Sequence, residues 1–232
     1  MANVILKVSS FFIVYSVATF FIIPLLAKPF GRVSLPFMQT GNIEPLNFFT
    51  CFLNRQYVRP GLKQATLEVA YKMNAEFPGT IVNYLDANFP FFNKFPLIPH
   101  LSHNDGKKLD IAFCYIDNKT GLQTNRTPSI IGYGISEGPG IDEINTAEFC
   151  KGKGYWQYSF MMKIIPQGNK KNYLFDSTRT KELVNLFVDK PGIGKVFIEP
   201  HLKTRLKLTS DKIRFHGCQA VRHDDHIHIQ LR

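Results

Sequence analysis

Seven histidines stand in a chain of 232 residues, and five of them fall in two short clusters. The first is His100-Leu-Ser-His103-Asn-Asp-Gly106-Lys-Lys-Leu-Asp110, and the second is His223-Asp-Asp-His226-Ile-His228. From His226 to Leu231 polar and apolar residues alternate strictly. A strand there places His226, His228 and Gln230 on one face and Ile227, Ile229 and Leu231 on the other. Residues two apart on a strand lie about 7 Å apart, so one imidazole can bind a metal while the other handles a water beside it. The first cluster supplies the remaining donors. His103 precedes a turn that Gly106 permits by tolerating positive φ, and a loop folding back there brings His103 beside Asp110 at the opening of the next strand. Two imidazoles and one carboxylate form a common catalytic zinc set that leaves a position open for water, whose pKa the metal lowers to about 7. The other reading of the same residues is a group of surface histidines with a turn-forming Asp. Neither motif is specific alone; their coincidence in a chain so poor in histidine carries the argument.

The neighbours have two readings each. His100 fits an oxyanion donor, His223 a donor to a substrate carbonyl or a loop histidine. Asp224 or Asp225 fits either a residue that orients an imidazole through its second N–H or a turn before the strand. Asp105 reads as a turn residue. Trp156, with Tyr155 and Tyr158, reads as core or edge packing more readily than as a groove wall. His201 and His216 stand apart from both clusters.

The elements that must hold these side chains are short and mixed. Apolar spacing predicts helices over 61–75 and 178–188, the second with Leu183, Leu186 and Phe187 towards the core. Short helices are expected at 143–150 and 200–207. Strands are expected at 80–86, 109–116, 155–165, 195–199 and 226–231. The Pro/Phe-rich stretch 87–99 reads as a loop leading into the first cluster, and 117–142 as a loop with short edge strands. Without regular βα alternation the pattern argues for α+β.

The amino-terminal residues 9–27 carry no charge and are flanked by Lys7 and Lys28. That length suits a bilayer-crossing helix or a secretory signal with a long apolar segment. We divide the chain into 1–34, a signal peptide or membrane anchor; 35–78, a linker and amino-terminal helix; and 79–232, the domain with the chemistry. Residues 28–60, rich in Pro, Gly and Asn, read as a linker with loose packing. Export permits two disulfides among Cys51, Cys114, Cys150 and Cys218, in any of three pairings, or buried free thiols. The formal charge is +10, which favours an anionic partner. The basic residues are scattered, and with no nucleic-acid module no nucleic acid is expected as partner. The oligomeric state is left open.

The block Ser102-His103-x-x-Gly106-x-x-x-Asp110, followed distantly by His226-x-His228, resembles the LAS metallopeptidases, named for lysostaphin, D-Ala-D-Ala peptidases and the sonic hedgehog amino-terminal domain. The opening His100-Leu-Ser-His103 and the closing Asp225-His226-Ile-His228-Ile are most similar to the penicillin-insensitive murein endopeptidases. The likeness covers roughly 79–232 and is patchy between 117 and 172. Where that branch has a Gly-rich stretch, this chain has Asn88-Phe-Pro-Phe-Phe-Asn93 and Phe95-Pro-Leu-Ile-Pro99, beside the expected substrate groove. The resemblance implies one zinc ion per chain on His103, Asp110 and His228, with His226 as the catalytic residue beside the water, either base or transition-state stabiliser. His100, His223 and Asp225 are then the supporting or substrate-contacting residues. It implies a small central antiparallel sheet flanked by helices and long loops, preceded by one hydrophobic helix. It also implies cleavage of peptide cross-links in peptidoglycan, in the periplasm or at the outer side of the cytoplasmic membrane. The alternatives are a catalytically silent relative that binds peptidoglycan or a protein partner, a DD-carboxypeptidase or dipeptidase, and a hydrolase with the same metal set acting on a phosphoester or a non-murein amide.

Overall fold

A computed structural model describes residues 2–98 and 100–232; Met1, and Pro99 at the end of the Pro/Phe-rich stretch, lie outside the described residues. The uncharged amino-terminal sequence is helical throughout: α1 (Ala2–Val17), a π turn over Ala18–Ile22, α2 (Ile23–Ala27) and a closing turn over Lys28–Phe30. Gly31, at φ +67°, ends it in the left-handed conformation that suits glycine. Asn3–Phe30 is long and apolar enough to cross a membrane.

The segment expected to be a loose linker is ordered. It forms β1 (Val33–Ser34), β2 (Ile43–Pro45), α3 (Phe48–Phe52) and β3 (Tyr57–Val58), and β1 pairs with β3. Leu35, Ile43, Cys51, Tyr57 and Val58 are buried. Its Pro and Gly residues set turns between apolar islands; Leu35, Ile43, Cys51 and Val58 join the main core, while Phe48, Phe49 and Leu53 stay exposed.

Helix α4 (Pro60–Glu76) opens on a proline at its first position, where no N–H is needed. Then come β4 (Val82–Tyr84), β5 (Lys108–Ala112), β6 (Tyr115–Asp117), β7 (Gln123–Thr124), α5 (Thr146–Gly152), α6 (Phe160–Ile164), β8 (Tyr173–Phe175), α7 (Ser177–Val188), β9 (Ile193–Phe197), α8 (Pro200–Arg205), β10 (Ile213–Arg214) and β11 (His226–Leu231). The fold class is α+β, as expected, but the central sheet is larger than expected and not purely antiparallel. Six strands run in the order β10-β9-β11-β5-β4-β2; the inner pairs are antiparallel, while β10 with β9 and β2 with β4 are parallel. A second sheet, β7-β6-β8, splits the expected 109–116 strand at Phe113 and Cys114.

The stretch 155–165, expected to be a strand, is instead a 3₁₀ turn over Trp156–Ser159 followed by α6. It lies outside the sheets, whose order is complete without it, so its apolar residues pack at helical spacing. Tyr158 is buried, and Met161 packs against the buried Leu85, Ala112 and Tyr133.

The two faces of the central sheet have different fates. Leu109, Ile111, Ile227 and Ile229 point into the main core with Leu62, Val69 and Met73 of α4 and Leu183, Val184 and Phe187 of α7. Full burial of each such side chain contributes about 1.5–3 kcal/mol. Because strand side chains alternate, Asp110, His226 and His228 must emerge on the opposite face.

Candidate metal centre

Strands β5 and β11 are antiparallel neighbours, with His228 directly across from Asp110 and His226 across from Ala112. The strand pair therefore sets two donors facing each other on the face away from the core. Strand β5 begins at Lys108, so Asp110 is its third residue rather than its first. His103 arrives from the loop before it. A turn from His100 to His103 is closed by the His103 N–H donating to the His100 carbonyl (2.9 Å). Gly106 sits at φ +80°, and any Cβ there would meet the Arg32 guanidinium, so the fold-back requires glycine on both counts.

Three atoms converge. His103 Nε2 lies 3.1 Å from His228 Nδ1 and 3.3 Å from Asp110 Oδ1, and His228 Nδ1 lies 2.9 Å from Asp110 Oδ1. His100, His103 and Asp110 also form a buried group whose donor atoms lie within 4.8 Å of one another. This buried His-His-Asp group could hold a metal ion.

The surroundings fix which atoms are free. His103 Nδ1 lies 2.7 Å from the Ala87 carbonyl, which can only accept, so Nδ1 carries a hydrogen and Nε2 is the ring nitrogen left to face the site. Tyr133 donates its hydroxyl hydrogen to Asp110 Oδ2 (2.8 Å), while Asp110 Oδ1 has no hydrogen-bond partner despite the two imidazole nitrogens beside it. Burial alone would raise the Asp110 pKa, but His103 and His226 beside it outweigh that and hold the carboxyl well below its usual range. His228 is driven the other way: burial pushes it down to about 3, so it stays neutral, as a ligand must be.

His226 is arranged differently. Its Nδ1 meets Asp225 Oδ1 at 2.5 Å, and Asp225 Oδ2 in turn accepts the Gly134 N–H at 2.5 Å. Its Nε2 is buried and unpartnered, 3.7 Å from Asp110 Oδ2. Burial opposes the charged imidazole, but Asp110 and Asp225 together prevail and lift its pKa to about 9. His100 Nδ1 lies 3.0 Å from Asp86 Oδ2, and Arg55 donates to both oxygens of Asp86 at 2.8 and 2.7 Å. His223 lies against His226, their ring centres 4.9 Å apart, and burial holds its pKa well below the usual value.

All these histidines open into one cavity of about 650 Å³. The structure brings together His100, His103, Asp110, His223, His226 and His228 there, with Asp225 just behind. It also adds His216, which sequence reading set apart: six of the seven histidines line this cavity. His216 is carried by the loop between β10 and β11, and its ring stacks on His228. Trp156, expected to pack in the core or at an edge, instead forms an exposed part of the wall. Among the described residues of the loop 87–99 only Ile98 lines the cavity, while Phe89 and Phe95 stack on each other.

That wall is tied down from behind. Buried Glu199 accepts hydrogen bonds from Tyr158 (2.5 Å), Thr146 (2.5 Å) and the His223 backbone (3.1 Å). A disulfide joins Cys150 of α5 to Cys218 of the wall loop, and Cys51 and Cys114 are free and buried. One of the two permitted bridges is thus present. Tyr133, Asp86, Arg55, Glu199 and His216 were not found from sequence, because each acts through a contact between segments distant in the chain.

Compared with known protein families the chain matches none, and no curated protein matches it.

Proposed function

We propose that this chain is a zinc-dependent endopeptidase that hydrolyses peptide cross-links of bacterial peptidoglycan, with the metal held by His103, Asp110 and His228. The observation that carries the metal assignment is the triangle of His103 Nε2, Asp110 Oδ1 and His228 Nδ1. Edges of 2.9–3.3 Å suit three donors on one ion with bonds of about 2.0–2.1 Å. His100 is the weaker ligand candidate, because its Nδ1 is already engaged by Asp86. Two neutral imidazoles and a carboxylate suit zinc.

When bound there, zinc supplies Lewis acidity and makes hydroxide available near neutral pH. The chain's own residues do the rest. Asp225 holds the His226 ring so that Nε2 faces the site, where it takes a proton from the attacking water and returns it to the leaving amine. With no metal its pKa is about 9; a dication nearby opposes the imidazolium charge and brings the group back towards the range where a base works. His100 and His223 line the same cavity and are the donors left for the substrate carbonyl.

The choice of an endopeptidase over a carboxypeptidase or a phosphoesterase is supported by the lining. Among the described residues lining the cavity there is no Lys or Arg, although the chain carries 28 of them. A Lys or Arg strengthens binding of a terminal carboxylate or a phosphate; an internal peptide bond carries no charge for it to pair with. Peptidoglycan as substrate rests on the motif resemblance and on the membrane-compatible amino-terminal helix, which also favours the cell envelope as location.

The test is cleavage of purified cross-linked muropeptides by the zinc-loaded chain, read by mass spectrometry. Products from a cut cross-link are expected, with none after chelation or in His103→Ala and His228→Ala. Cleavage that survives in either variant, or release of only a carboxy-terminal residue, would sink the reading.

A further inference from the structure

The amino-terminal helix does not stand free of the protein. From Phe12 onwards one side of it is packed. Phe12 and Tyr15 lie against Phe52, with ring centres 6.4 and 4.9 Å away, and Phe20 lies against Phe37 and Phe48 at 5.3 and 5.5 Å. The contact includes polar groups. Tyr15 donates its hydroxyl hydrogen to the Phe52 carbonyl (2.8 Å), and Asn54 donates to Thr19 Oγ1 (3.3 Å), with Thr19 fully buried.

This packing conflicts with a simple tether. Of the 28 residues in Asn3–Phe30, those that precede these contacts run only from Asn3 to Phe11. Nine residues of helix rise about 14 Å, under half of the roughly 30 Å hydrocarbon core. The helix can cross a bilayer only if residues 12–20 also enter it, and whatever is packed on them must enter too.

What is packed on them is fit to do so. Helix α3, Phe-Phe-Thr-Cys-Phe, carries no charge. Beside the packed ring edges it turns Phe48 (55% exposed), Phe49 (65%) and Leu53 (53%) outward, and Phe37 and Met38 (60%) extend the same surface. Large apolar side chains exposed together mark an interaction surface. Here the surface continues the exposed side of a helix that is itself apolar, so its partner is the same: lipid.

We propose that α3, Leu53, Phe37 and Met38 form a membrane-inserting rim, which enters one leaflet together with the amino-terminal helix and seats the protein in the bilayer rather than above it. The rim lies at the β2 edge of the central sheet. The loop bearing Ile141 is fastened to α8 through the Glu143–Arg205 ion pair, near the opposite, β10 edge. Five strand spacings of about 4.8 Å separate the two edges, roughly 24 Å. This inference is independent of the metal centre.

The full chain, in vesicles of phosphatidylcholine and phosphatidylglycerol with brominated acyl chains, provides the test. Its single tryptophan is first removed by Trp156→Phe. Phe49→Trp, Met38→Trp and Ile141→Trp are then compared separately. Fluorescence at positions 49 and 38 is expected to fall several-fold relative to unbrominated vesicles, and at 141 to be unchanged. Unquenched emission at both 49 and 38 overturns the proposal, whether the chain is bound to vesicles or not. So does emission shielded from lipid but shifted to the blue in a dimer, which would assign the rim to a second copy of the chain.

Discussion

Asp110 is fully buried, where a lone carboxylate would be driven to take up a proton. It stays ionised because imidazoles surround it and Tyr133 bonds Oδ2, leaving Oδ1 as a lone donor. Tyr133 therefore sets which oxygen would face a bound metal. Tyr133→Phe should lower zinc affinity by about 10–100-fold, the usual effect of losing such a support, measured by competition with a chromophoric chelator. Unchanged affinity would remove Tyr133 from this role. His201 tests a different residue-scale effect. Burial depresses its pKa below the usual 6.5, and its Nε2 lies 2.8 Å from the Glu137 carbonyl, to which it donates. Below pH 6.5 the unfolded chain takes up a proton that the folded chain resists, so this contribution to stability is complete above pH 6.5 and is lost as pH falls. The denaturant midpoint should drop between pH 7 and 5, and less steeply in His201→Gln. An identical slope would show that His201 does not contribute. At this scale the residue types in the two clusters were legible, because histidine is scarce and its spacing is specific. Tyr133, Asp86 and His216 were not, since an isolated Tyr, Asp or His has no local signature.

The secondary-structure elements divide in the same way. Strand β11 was readable to the residue because its alternation is local, and α4 and α7 were readable because their apolar stripes repeat. The 155–165 segment misled, because a run of apolar residues suits a strand or a helix equally until the sheet has taken its partners. That segment and the loop carrying His216, Ala220 and Val221 make the far wall of the cavity. The Cys150–Cys218 bridge closes a loop of 68 residues between them, for which chain entropy suggests about 4 kcal/mol of stabilisation. Cys150→Ser should lower stability by roughly 2–5 kcal/mol in denaturant and slow the proposed turnover by loosening the wall, while the proposed zinc triangle, built on β5, β11 and the 100–106 loop, should still bind metal. Loss of zinc along with stability would show that wall and triangle are not separable.

For the molecule as a whole, the sheet brings one face to the core and the other to the cavity, and zinc would join segments that are 125 residues apart, from His103 to His228. A ligand that binds only the folded chain stabilises it by about 2.7 kcal/mol at one hundred times its dissociation constant, which for this size is roughly 5–10 °C in Tm. Zinc should raise the Tm of chelator-stripped protein by that much and do nothing for His103→Ala; equal shifts in both would place the ion elsewhere. The sequence alone determined the faces of β11, the turn at Gly106 and an apolar helix long enough for a bilayer, because alternation, positive φ and helical length are properties of neighbouring residues. Only the tertiary structure decided that Asp110 lies opposite His228, that His216 joins the cavity, that Cys150 pairs with Cys218 and that the apolar helix packs on α3. Those outcomes depend on which distant surfaces bury one another, and no short stretch of chain encodes that.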